Sequence, residues 1–128
     1  MEKLVYLDTH AVVWLYAAEL TLFPPVALGL VVDVPLLISP AVLLELQYLF
    51  EIERIKVGPE KIFKNLEKSL GLKICRKEFQ EVVTESLKQS WTRDPFDRLI
   101  VAQAVITHAP LITRDESILK HYPKAFWR

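Results

Sequence analysis

The chain has 128 residues, which suits one domain over residues 1–128 with a hydrophobic core of its own. Sixteen basic and sixteen acidic residues cancel. This excludes a globally basic nucleic-acid binder, so any such contact must come from a local arrangement. A single cysteine, Cys75, excludes an internal disulfide and points to a reducing compartment.

Apolar residues make up 52% of the chain and mean hydropathy is +0.23. That balance implies apolar surface covered by a partner or a second copy. In chain order, "KLVYL" reads as a first strand and "THAVVWLYAAEL" as a helix. "PPVALGLVVD" reads as a second, apolar helix starting near proline, and "PLLIS" as a strand. Pro40 opens a helix through "AVLLELQYLFEI", apolar almost all round and therefore expected to be buried. Gly58-Pro59 breaks the chain, and "EKIFKNLEKSLG" is an amphipathic helix ending at Gly71. "LKIC" reads as a strand that buries Cys75, and "KEFQEVVTESLKQS" as an amphipathic helix. "DPFDRLIVAQAVITHA" is a helix, "PLIT" a strand, "ESILKHY" a short helix and "AFW" a final strand. Strands alternating with helices predict an α/β fold on a mostly parallel sheet of about five short strands flanked by helices.

"MEKLVYLD" lacks the pattern of a signal peptide. The most apolar stretch, Leu20 to Leu44, is split by Asp33 and punctuated by Pro24, Pro25, Pro35 and Pro40. Neither half reaches the roughly 18 residues of a spanning helix. A soluble, cytoplasmic protein without membrane contact is expected.

Sites in parallel sheets lie beyond the carboxyl ends of the strands. Asp8 follows the first strand directly, and a helix cap is its simplest reading. Asp115 follows a late strand, where Thr113 and Glu116 fit a capping box. Glu45 has Ala41, Val42, Tyr48 and Leu49 at helical spacing and no cation among them. A carboxylate so placed must be paired, protonated or metal-bound. In "DPFD", Asp94 before Pro95 is a good N-cap. Asp97 continues into Ile100, Val101, Ala104 and Val105, the inward stripe of the helix.

Four acids converging on one sheet edge would repel one another, and a divalent cation relieves that. All-oxygen ligands suit Mg²⁺ or Mn²⁺ rather than zinc. His10, His108 and His121 have no zinc-ligand spacing, and no phosphate-cradling glycine motif occurs. Arg93, Arg98 and Arg114 flank the acids, either as charge balance or as a rim for a phosphate backbone.

"LDTHAVVWL" (7–15), "SPAVLLEL" (39–46), "DPFDRLIVAQA" (94–104) and "PLITRDESI" (110–118) together resemble PIN-domain ribonucleases of the VapC toxin type, in order along the whole chain. The resemblance implies a three-layer α/β fold and Mg²⁺- or Mn²⁺-dependent cleavage of RNA. It implies a homodimer and a VapB-type antitoxin partner. It maps the family's acids onto Asp8, Glu45, Asp97 and Asp115, with Asp94 as the additional aspartate. Thr9 and Thr113 fall where small hydroxyl residues help hold metal or water. His10 stands where many relatives have Asn or Ser, and its role stays open. No lysine follows Glu45 at helical spacing, unlike in many relatives.

Three other readings compete. A receiver domain would carry paired acids after the first strand, where this chain has Asp8-Thr9. A haloacid-dehalogenase-type phosphatase would carry an acid at position 10, which is histidine. A PIN fold that only binds RNA or protein would be free to lose the acids, and all are present.

Overall fold

Three successive apolar residues, Val5–Leu7, form the first strand (β1), and all three are buried. The structure, a computed structural model, describes residues 4–128, so Lys3 of the expected "KLVYL" strand lies outside the described residues. The remaining strands are β2 (Leu36–Ile38), β3 (Lys73–Ile74), β4 (Leu111–Ile112) and β5 (Ala125–Phe126). They form one sheet in the order β3-β2-β1-β4-β5. Every pairing is parallel, with Tyr6 opposite both Leu37 and Leu111. A parallel strand buried on both faces must be apolar throughout, and β1, β2 and β4 are, whereas the edge strand β3 carries the exposed Lys73.

Among the described residues seven α-helices connect and cover the strands: α1 (Thr9–Tyr16), α2 (Pro25–Asp33), α3 (Pro40–Glu51), α4 (Pro59–Leu70), α5 (Phe79–Ser86), α6 (Pro95–Thr107) and α7 (Glu116–His121). Proline opens α2, α3, α4 and α6. At the first helical position its missing N–H removes nothing and its φ is already helical. The core gathers Tyr6, Leu7, Ile38, Val42, Leu46, Leu66, Ile100 and Ile112 around the sheet. Among the described residues no helix is long and apolar enough to cross a membrane.

Two expectations need correction. The first helix stops at Tyr16 instead of running to Leu20, and Leu20–Leu22 form a separate short 3₁₀ turn. Ala18 adopts a left-handed backbone, φ 58°. Its N–H reaches Leu15 O, and the Glu19 N–H reaches Trp14 O. This is a Schellman termination in which alanine stands where glycine is usual. Glu53 and His108 end α3 and α6 with the same hydrogen-bond pattern and φ of 61° and 54°. Only α4 ends on a glycine, Gly71, at φ 70°. The second correction concerns α3. It buries Ala41, Val42 and Leu46 but leaves Leu44 62%, Tyr48 51% and Phe50 40% exposed. One side packs on the core; the other is an apolar outer face.

Candidate active site at the carboxyl edge of the sheet

Because all strands run the same way, the residues that follow them share one edge. Asp8 follows β1, Ser39 follows β2, and Thr113 follows β4. The chain places β2 and β3 on one side of β1, and β4 and β5 on the other. A parallel sheet leaves a crevice where its strand order reverses in this way.

Asp8 and Thr113 face each other across that reversal. Thr113 Oγ1 donates to Asp8 Oδ2 at 2.6 Å, and Thr9 N donates to Asp8 Oδ1 at 2.8 Å. Asp8 therefore does cap α1, yet it is only 6% exposed. Burial pushes its carboxyl pKa up, against the two hydrogen bonds and the nearby His10, with Asp115 adding to the rise. A plain surface cap would show no such penalty.

Thr9 is fully buried and joins α1 to α3, its hydroxyl donating to Glu45 Oε1 at 2.5 Å. Ser39 sets the start of α3, accepting from Ala41 N at 3.1 Å with Pro40 in the first turn. That start directs Glu45 toward β1. Burial raises the Glu45 pKa, the Thr9 hydrogen bond opposes it, and Asp8 and Asp94 raise it further.

Asp94 caps α6 as its position before Pro95 implies, accepting from Phe96 N at 2.8 Å and Asp97 N at 3.3 Å. Asp97 then lies in the first turn, half-buried, at the head of the buried stripe Ile100, Val101 and Ala104. Its pKa is raised to about 8, first by burial and then by Asp94, Asp8, Asp115 and Glu45 in that order. One carboxyl is thus within electrostatic reach of four others, Asp94 at the head of its own helix and Asp8, Glu45 and Asp115 on three other elements.

Asp115 is exposed and caps α7, accepting from Ile118 N at 3.0 Å. The capping-box reading of Thr113 is thereby corrected. The Thr113 hydroxyl accepts from Asp115 N at 3.0 Å and donates to Asp8, so it links two acids and caps nothing.

The arginines behave differently from one another. Arg93 Nη1 donates to Ser90 O at 2.8 Å, and Arg98 Nε to Thr92 O at 2.9 Å. Arg114 lies over the Trp14 ring, 5.9 Å from its centroid. Among the described residues the ion pairs are Lys64–Glu60 and Lys88–Glu85, so none of the three arginines neutralises a site acid. A stacked pair, Trp91 on His121 with centroids 4.8 Å apart, pins the segment before α6 to α7. It thereby helps set Asp94 and Asp97 relative to Asp115. Sequence reading missed this pair and the Ser39 cap; the Ser-Pro dipeptide was the available signal for Ser39.

The donors here are carboxylate and hydroxyl oxygens, the chemistry that Mg²⁺ or Mn²⁺ prefers. Among the described residues no three His, Cys, Asp or Glu side chains form a ready-made metal-ligand group. The donor chemistry therefore fits a hard divalent cation, while a closed ligand set is not formed.

Solved structures of low sequence identity share the architecture. VapBC2 from Rickettsia felis, bound to a DNA fragment from their promoter, contains a chain 22% identical with TM-score 0.62, covering 98% of this chain and 99% of that one. A toxin–antitoxin complex from Klebsiella pneumoniae gives 18% identity and TM-score 0.60 over 95% of each chain. DNA-bound VapBC from Salmonella typhimurium gives 18% and 0.61, over 98% of this chain and 96% of that one. Among curated proteins none matches. At these identities the likeness speaks for the fold. The PIN domain model matches residues 5–125, from β1 into β5, and the chain belongs to the PIN domain family.

Proposed function

We propose that this chain is a metal-dependent endoribonuclease of the VapC toxin type, hydrolysing RNA phosphodiester bonds with Mg²⁺ or Mn²⁺. The observation that carries the reading is the hydrogen-bonded junction of buried Asp8 with Thr113 (2.6 Å) and of Thr9 with Glu45 (2.5 Å) at the carboxyl edge of the sheet, beside which burial and four neighbouring carboxyls raise the Asp97 pKa. A purely structural acid has no reason to collect like charges from four other positions. Asp8, Glu45, Asp97 and Asp115 are the residues that would hold the cation. When bound, it supplies positive charge for the phosphate and for an attacking water.

The chain's own contribution is positional. Thr113 and the Thr9 N–H lock the Asp8 carboxylate, and the Thr9 hydroxyl locks Glu45. Asp94 fixes the first turn of α6 and with it Asp97. Arg93, Arg98 and Arg114 form the rim for the RNA backbone, and no side chain serves as a dedicated base.

By likeness to the VapBC complexes the chain would take an antitoxin partner; RNA, a second copy of this chain and a cytoplasmic location follow from the motif resemblance. Support for the second copy comes from Val26 and Val32 on α2, 48% and 71% exposed, and from the apolar outer face of α3. An ultracentrifuge mass of one chain at micromolar concentration would count against the dimer.

The decisive experiment is RNA cleavage with Mg²⁺ and with chelator, beside Asp8→Asn. Cleavage that needs Mg²⁺ and fails in the variant is expected. Cutting that persists in chelator or survives the substitution would overturn the proposal. The missing ready-made ligand group favours one second reading, a PIN module that binds RNA or protein without turnover. RNA binding with no cleavage at any Mg²⁺ concentration would select it.

A further inference from the structure

His10 and Trp14 belong to "LDTHAVVWL" and lie one helical turn apart on α1; neither supplies a carboxylate to the acid centre, and His10 acts on Asp8 and Glu45 only by its charge. Their rings are 6.0 Å apart, tilted by 44°. Trp14 is half-buried, packed against Trp127 at 5.6 Å and edge-on to Phe23 at 6.3 Å. It is a brace more than a surface. Two groups it contacts are exposed: the His10 ring and the Arg114 guanidinium, 5.9 Å from its centroid.

These two planar groups flank the acid centre along the chain. His10 is two residues from Asp8, and Arg114 lies between Thr113 and Asp115. Of the three rim arginines, Arg114 is the one held by an aromatic ring rather than tied to a backbone carbonyl. A guanidinium on an indole keeps its N–H edge free for an anion while losing less freedom on binding. Single-stranded RNA is recognised by this pairing of planar stacking surfaces with cations.

We propose that His10 and Arg114, braced by Trp14, form a nucleotide subsite beside the cleaved phosphate. Arg114 takes a flanking phosphate and His10 stacks on the adjoining base. Trp14 acts as a positioning residue. This rests on the nuclease reading and gives the rim a definite occupant, one nucleotide of a single strand. Stacking tolerates every base, so the subsite sets register and affinity more than strict sequence.

The test is fluorescence anisotropy with a labelled single-stranded RNA of about ten nucleotides, and with its abasic counterpart, both in chelator. Arg114→Ala should weaken RNA binding roughly tenfold and shrink the salt slope by about 0.7, the loss of one phosphate contact. Arg114→Lys should restore the slope but not the affinity, because the stacked plane is gone. His10→Ala should weaken binding to RNA roughly tenfold and leave the abasic strand unchanged, and His10→Phe should rescue it. Trp14→Phe should keep the brace and bind like wild type. Wild-type affinity in both alanine variants would overturn the subsite. Cleavage in Mg²⁺ separates it from the nuclease reading. A wild-type protein that cuts RNA, with alanine variants that bind equally well, leaves the nuclease and removes the subsite. Binding that follows the expected pattern without any cutting leaves the subsite and removes the nuclease. Wild type that neither binds nor cuts removes both.

Discussion

Tyr6 and Asp8 lie two residues apart, and each is a buried polar group held by hydroxyls. The Tyr6 hydroxyl donates to Cys75 Sγ at 2.8 Å and lies 2.9 Å from Thr107 Oγ1. Burial, with Cys75 beside it, raises the phenol pKa, so it stays neutral at physiological pH. Thr107 in turn donates to Gln103 O. Each side-chain polar group in that network has a hydrogen-bond partner. Around Asp8 the hydroxyls of Thr9 and Thr113 also satisfy their acceptors, but the acceptors are carboxyls: Asp8 raises the pKa of Glu45, and both raise that of Asp97. The first network is what a fold needs where a polar group must be buried. The second stores repulsion that a fold does not need, as the proposed cation-holding site would.

The sharpest way to break the contrast is to remove an acid on one side and a hydroxyl on the other, reading activity. Asp97→Asn should lower RNA cleavage in Mg²⁺ by on the order of 10²–10³-fold. Tyr6→Phe should leave cleavage intact. Equal losses in the two variants would mean that both networks serve only the fold.

Stability against pH gives the next largest effect. The ordinary Asp97 pKa of 3.8 becomes about 8 in the folded chain. A carboxyl raised on folding contributes stability that is complete below its unfolded pKa and lost as pH rises through the folded one. Metal-free protein should therefore weaken from about pH 4 to about pH 8. Asp97→Asn should flatten that decline by on the order of 1–2 kcal/mol once solvent screening is allowed for. Melting curves in chelator across this range are the check, and an unchanged slope would mean that Asp97 ionises freely. Mg²⁺ at about 100 times its dissociation constant should add roughly 2.7 kcal/mol at neutral pH, through the acid cluster and not through Tyr6.

Smaller effects sharpen the structural side. Tyr6→Phe should cost about 1 kcal/mol in urea unfolding, from one buried hydrogen-bonding group. Asp94→Ala should cost about 1 kcal/mol as a lost cap. A stability loss of that size with metal affinity kept would place Asp94 with the scaffold. Ala18→Gly should raise stability by roughly 0.5 kcal/mol, since glycine meets no Cβ penalty at φ > 0 but frees the unfolded chain. No gain there would mean that the turn after α1 is held by its packing.

Local chemistry was legible in the sequence. Short apolar runs announced all five strands, prolines marked helix starts, Asp94 before Pro95 announced a cap, and Gly71 announced a helix end. Each of these preferences acts within about four residues of backbone. The resemblance of "LDTH", "SPAVLLEL" and "DPFDRL" to PIN-domain motifs put forward Asp8, Glu45 and Asp97 as candidates. What the sequence could not determine was decided by residues far apart. Thr113 finds Asp8 across 105 positions and Thr9 finds Glu45 across 36. No periodicity encodes such pairs, so Thr113 read as a cap when it is a link between acids. Ala18, Glu53 and His108 end helices in left-handed conformations that residue type disfavours by about 1–2 kcal/mol, each closed by the paired backbone hydrogen bonds of a Schellman turn. The outer face of α3 reads as core from composition alone and lies open, since a helix against one side of a sheet buries only the stripe that meets it.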